Sequence, residues 1–221
     1  MITLSELAYC NLCPRNCNAN RISGKLGYCK TDAGFNISSI CVHRGEEPVI
    51  SGKLGIINVF FSHCNLQCTY CQNHQISRNS SESTTQSLSL KNVLEQIENL
   101  LNTGIKTVGF VSPSHHIPQM AAIIYELKKQ HSDVKFVYNT NAYDKVDSLK
   151  RLEGLIDIYL PDLKYASEDT AFQLSDARNY PHFSQQAIKE MYRQKGSTLI
   201  LDEETGLAES GIIIRHLVLP G

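Results

Sequence analysis

The stretch NVFFSHCNLQCTYCQNH, from Asn58 to His74, places Cys64, Cys68 and Cys71 on one short loop, spaced Cys, three residues, Cys, two residues, Cys. The apolar run Gly55 to Phe61 ahead of it reads as a buried strand, so the three thiols emerge where a strand ends. No cysteine follows Cys71, and no fourth ligand is supplied locally. A cluster used only for electron transfer is ordinarily held by four thiolates. Three on one loop imply a cubane iron–sulfur cluster with one iron open to a small molecule, much as a catalytic zinc keeps an open position. The competing reading is a zinc site completed by His63 or His74, the latter three residues after Cys71. The strand-end placement, with strand–helix units following, favours the cluster.

All eight cysteines fall within the first 71 of 221 residues. In a secreted miniprotein they would read as disulfides. In an α/β chain of this length they point to metal and to a reducing cytosol, so a cytoplasmic location is expected. The formal net charge is −1 with no long basic block, which leaves no electrostatic footprint for nucleic acid. The start, MITLSELAYC, lacks a basic region followed by an apolar core, and no apolar run approaches a membrane span.

Ahead of the loop, Cys10, Cys13, Cys17 and Cys29 form C-x2-C-x3-C-x11-C, punctuated by Pro14, Gly24 and Gly27. So short and glycine-rich a segment buries little core and needs a metal to order it. Zinc and a second iron–sulfur cluster are both chemically sensible, and spacing does not choose between them. Arg15 and Arg21 read as solvent-facing, Cys41 as a free thiol, and Glu46-Glu47-Pro48 as a solvated turn.

From Leu54 onward strand and helix alternate. Strands are expected at Leu54–Ser62, Lys106–Val111, Val134–Tyr138, Leu155–Leu160 and Ile212–Leu219. Helices are expected at Leu90–Asn102, Ile117–His131, Lys145–Leu152 and Ser184–Gln194, with a serine-rich surface loop over Gln75–Ser89. Repeated βα units predict a parallel sheet with its chemistry at the carboxyl ends of the strands. The expected organisation is a cysteine-rich metal-binding appendage over residues 1–50, followed by an α/β partial (β/α) barrel over 51–221.

The motif CNLQCTYC, with aromatic Tyr70 before its last cysteine, resembles that of the radical S-adenosylmethionine (radical SAM) superfamily. CNLCPRNC, GYC, HRGEEPVISG and CNLQCTYCQN together resemble pyruvate formate-lyase activating enzyme and its uncharacterised relatives. That resemblance implies a [4Fe–4S] cluster on Cys64, Cys68 and Cys71, whose open iron binds SAM. One electron would then split the sulfonium to a 5′-deoxyadenosyl radical for hydrogen abstraction. It implies contacts to the methionyl end of SAM, or to a cation beside it, from Asp162 and Lys164 in PDLK, and places Arg215 in IIIRHLVLPG near the SAM ribose. Asn139 and Thr140 stand where relatives carry Asp-Thr, and Ser112-Pro113-Ser114 stands where the superfamily carries Gly-Gly-Glu. The implied partners are a glycyl-radical enzyme or another protein substrate, and an electron donor such as flavodoxin or ferredoxin. Those relatives continue with a further strand and helices, so a C-terminally truncated barrel is expected. The alternative from a different class is a non-catalytic iron–sulfur or zinc module with an electron-transfer or partner-binding role.

Overall fold

A computed structural model describes residues 2–79 and 87–218. Its strands are β1 (Ile37–His43), β2 (Ile56–Phe61), β3 (Thr107–Val111), β4 (Lys135–Thr140), β5 (Ile158–Leu163), β6 (Ile200–Leu201), β7 (Ala208–Ile212) and β8 (Arg215–His216). Its helices are α1 (Pro48–Ser51), α2 (His74–Ser77), α3 (Leu90–Leu101), α4 (Ile117–Gln130), α5 (Val146–Lys150), α6 (Glu168–Ser175) and α7 (Tyr180–Lys195). The sheet order is β1-β2-β3-β4-β5-β7-β6, with β8 also pairing β5. Pairing is parallel from β2 through β5 to β7 and antiparallel at the two edges. The chain is thus an α/β protein with a mostly parallel sheet.

Side-chain alternation along the strands separates two faces. Ile57, Val59 and Phe61 of β2, Val108 and Phe110 of β3, Phe136 and Tyr138 of β4, and Tyr159 of β5 pack in one core with helix residues. The helices supply Val93, Ile97 and Leu101 of α3, the apolar side of α4 from Ile117 to Leu127, and Ala187 and Met191 of α7. The opposite face carries Ile56, Val137, Ile158 and Leu160 against Ile50. α3 begins where the Ser89 side chain accepts the Asn92 N–H, and the chain leaves it through Gly104 at φ 95°.

Several elements differ from the sequence expectation. β1 precedes the strand expected to come first, because ISSICVH is half exposed and offers no apolar run. α6 has no counterpart among the expected helices, since it buries only Ala171 and Ser175 and shows no apolar stripe. The strand expected at Ile212–Leu219 is divided. β7 ends at Ile212, β8 is two residues long, Val218 is exposed, and Leu219 lies outside the described residues. The expected serine-rich loop begins with α2, and its residues 80–86 lie outside the described residues. Asn139, Thr140, Pro161 and Asp162 sit inside β4 and β5, not after them.

The cysteine-rich segment is joined to the same core. Ile2, Phe35 and Ile37 belong to the main cluster, and β1 is a strand of the sheet. Among the described residues no helix is long and apolar enough to cross a membrane.

Gly109 of β3 faces Asn58 of β2 so closely that a Cβ would overlap Asn58 Oδ1 and stand 2.8 Å from Ile56 Cδ1. Overpacking of this kind costs about 1–3 kcal/mol. Gly109→Ala is therefore expected to lower the urea midpoint with an unchanged slope. A parental midpoint would mean that Asn58 moves aside freely.

Candidate active site

The loop after β2 is shaped by its own backbone. His63, at φ 63°, turns the chain out of the strand, and its N–H donates to Ile76 O at 2.6 Å. Asn79 fastens the turn: its Oδ1 accepts the Cys64 N–H at 3.2 Å, and its Nδ2 donates to Cys64 O and to Tyr28 O, each at 2.9 Å. Farther along, the Thr69 N–H donates to Leu174 O at 2.8 Å, and the Tyr70 and Tyr165 hydroxyls meet at 2.5 Å. Cys64 is buried, whereas Cys68 and Cys71 are partly exposed. Leu66, Tyr143, Tyr165 and Tyr180 pack around Cys64 as a separate apolar cluster, with Cys68 and Tyr70 at its margin.

Hydrogen-bond donors converge on the sulfurs. The Leu66 N–H and Asn141 Nδ2 each donate to Cys64 Sγ at 3.4 Å, and Ser77 Oγ lies 3.2 Å from Cys71 Sγ. Burial pushes the Cys64 thiol up to about 12 and also raises Cys68, while the nearby Lys164 charge works against both shifts. A coordinating metal ionises such thiols outright. The donor set therefore fits an iron–sulfur cluster: three thiols on one clamped loop, amide donors for the sulfurs, and an apolar wall. His74, the candidate zinc ligand, is exposed, with Nδ1 3.2 Å from Cys71 O.

Four of the five residues expected to contact SAM meet in one network. Arg215 Nε donates to Asp162 Oδ1 at 2.7 Å, Nη1 to Glu46 Oε1 at 2.9 Å, and Nη2 to Asn139 Oδ1 at 2.7 Å. Asn139 Nδ2 donates in turn to Glu46 Oε2 at 3.0 Å, and Lys164 Nζ to Asp162 Oδ2 at 2.8 Å. Burial works against the Lys164 charge, but Asp162 outweighs it and holds that pKa above its ordinary value. Register explains the meeting: β8 lies parallel to β5 with Asp162 opposite Arg215, and Leu160, on the same face as Asp162, lies opposite Asn139.

Thr140 does not join the network. Adjacent to Asn139 in β4, it faces the other side of the sheet, where its hydroxyl donates to Asp144 Oδ2 at 2.6 Å and lies 3.3 Å from Ser114 Oγ. Ser114 is fully buried there. Glu46, read as part of a solvated turn, is instead a member of the network, with its side chain only 8% exposed. Burial, followed by its neighbour Glu47, raises the Glu46 carboxyl above the usual range, and Arg215 and Asn139 oppose that rise. Two acids before a proline carry no local sign of such burial. Asn141 likewise carries no local sign of its contact with Cys64, 77 residues away in sequence.

The N-terminal cysteines are also brought together: Cys10, Cys13, Cys17 and Cys29 line one cavity. Arg15 and Arg21 do not face solvent as expected. The Arg15 guanidinium stacks 3.6 Å from the Tyr28 ring centroid, and its Nε donates to Asn65 O at 2.9 Å. Arg21 is 1% exposed.

An uncharacterised protein of Methanocaldococcus jannaschii is 28% identical over 214 residues, which cover 96% of this chain and 57% of that relative. The chain thus spans little more than half the length of the curated relative it matches. A model of the radical SAM superfamily matches residues 58–200. That match runs from β2 through the three-cysteine loop and past α7, and with the geometry above it shows that the chain belongs to the radical SAM superfamily.

Proposed function

We propose that this chain is a SAM-cleaving enzyme that holds a [4Fe–4S] cluster on Cys64, Cys68 and Cys71 and abstracts hydrogen from a glycyl-radical enzyme or another unactivated C–H. The superfamily generally binds such a cluster together with SAM. When bound, the two supply the one-electron chemistry that splits the sulfonium, and the protein supplies placement and a dry surround.

The observation that carries this reading is the link between the loop and the polar network. The Tyr180 hydroxyl accepts the Lys164 N–H at 2.9 Å and lies 2.7 Å from Asp162 O and 2.9 Å from Asn141 O, and Asn141 Nδ2 donates to Cys64 Sγ at 3.4 Å. Asp162, flanked by Lys164 and Arg215, is held in place to orient a charged ligand beside the loop. Glu47 Oε2 is buried without a partner among the described residues. It is an open acceptor for an ammonium group, in a chain lacking the usual acid after β3. Tyr143, Tyr165 and Tyr180 pack with Cys64 and cover that end of the loop. A low-potential flavodoxin or ferredoxin would reduce the cluster.

Anaerobically reconstituted protein with dithionite and SAM is expected to form 5′-deoxyadenosine and methionine in equal amounts. A fully loaded protein that forms neither would overturn the reading. Deuterium appearing in 5′-deoxyadenosine from a labelled candidate partner would identify the hydrogen donor.

A further inference from the structure

The N-terminal lobe gathers four further cysteines around a cavity that the three-cysteine loop does not use. Asn16 at φ 47° and Asn18 at φ 53° bend the chain between Cys13 and Ala19. The turn is closed where the Cys10 N–H donates to Ala19 O at 3.0 Å and the Asn18 N–H to Cys10 O at 2.8 Å. This brings Cys10, Cys13 and Cys17 to one cavity with Cys29. Donors again point at sulfur: the Tyr28 N–H donates to Cys17 Sγ at 3.2 Å, and Thr31 Oγ1 lies 3.2 Å from Cys29 Sγ. Gly27 is pressed against the site, since a Cβ there would stand 2.9 Å from Cys17 Cβ and 3.0 Å from its sulfur.

Arg21 decides the charge of the site. Its Nε donates to Thr31 O at 3.1 Å and Asp32 O at 3.0 Å, and its Nη2 to Thr31 Oγ1 and Asp32 O, each at 2.8 Å. Its Nη1 donates to His115 O at 2.6 Å and faces Cys10 Sγ at 3.7 Å. Every one of these oxygens is a neutral carbonyl or hydroxyl. A guanidinium stays charged in proteins, and a buried charge requires an opposite one. The sulfur of Cys10 is the acidic group within reach, and four metal-bound thiolates would supply the missing negative charge.

We propose that Cys10, Cys13, Cys17 and Cys29 bind a second iron–sulfur cluster, closed by four thiolates and therefore unable to bind SAM. Iron–sulfur is preferred to zinc on geometry. A zinc with Zn–S of about 2.3 Å draws its ligands onto a point. These four cysteines instead surround a cavity, as ligands to the separate corners of a cluster do. The four thiol protons pass to solvent on assembly, with iron and sulfide supplied from outside. Asn65, next to Cys64, lines the same cavity, so the two sites adjoin.

The test is independent of SAM cleavage. The full chain carrying Cys64→Ala, Cys68→Ala and Cys71→Ala is reconstituted anaerobically with iron and sulfide. It is expected to retain about four iron and four sulfide per chain, with an electron paramagnetic resonance signal that SAM leaves unchanged. The reciprocal variant, Cys17→Ser with Cys29→Ser, is expected to lose half the parental iron and keep a SAM-responsive signal. Stoichiometric zinc, or no iron, in a folded triple variant would overturn the proposal. If the triple variant does not fold, the reciprocal variant decides: halved iron supports a second cluster, and parental iron removes it.

Discussion

If Cys68 holds the proposed cluster, replacing it by alanine is expected to remove that cluster and reduce 5′-deoxyadenosine formation to background, a loss of roughly 10³-fold or more. Cys68 is the better test position because it is partly exposed, whereas Cys64 is buried and accepts bonds from the Leu66 amide and Asn141. Deleting the Cys68 sulfur leaves the loop clamps at Asn79, Thr69 and Tyr70 in place. The apo protein should therefore unfold within about 1 kcal/mol of the parent. Iron content should fall by about four per chain, the cubane at the three-cysteine loop. Parental turnover at parental iron content would show that Cys68 is no ligand.

Replacing Arg215 by alanine is expected to weaken SAM binding and to destabilise the fold together. Arg215 ties Asp162, Asn139 and Glu46, which come from two strands and the turn before α1. Without it the nearly buried Glu46 carboxylate keeps the Asn139 amide but loses its counter-charge. Breaking a buried pair costs 3–5 kcal/mol, but the Arg215 side chain is 30% exposed, so about 1–3 kcal/mol is expected. The deficit should depend on pH with a definite sign. Burial, then Glu47, already raises the folded-state Glu46 pKa, and losing the Arg215 charge raises it further. A carboxyl raised on folding stabilises most below its unfolded value of about 4.3 and loses that contribution as pH rises through its folded value. The variant's deficit relative to the parent should therefore be smaller near pH 5 than at pH 8 in denaturant titrations. A pH-independent deficit would mean that Glu46 does not titrate with the fold.

The three-cysteine loop was legible because its ligands are near neighbours in sequence and the strand before it is an unbroken apolar run. The helices α3 and α4 were legible because each turns one apolar side inward at helical spacing. Strand ends were harder to read. Polar Asn139 and Asp162 look like loop residues, yet both lie within strands, where they face the polar network. The resemblance groups Thr140 with Asn139 as the counterpart of an Asp-Thr pair, and the alternation of a strand sends their side chains to opposite faces.

The sequence by itself determined the local chemistry: which cysteines share a loop, which segments turn one face inward, and the alternation of strand and helix. Only the tertiary structure decided what those groups face. Register between β5 and β8 sets Arg215 opposite Asp162, and packing of the N-terminal lobe buries Arg21 beside Cys10. The physical reason is that ligand spacing on a loop is set by covalent distance. Burial of a charge such as Glu46 or Arg21 depends on partners far away along the chain, and no local pattern encodes them.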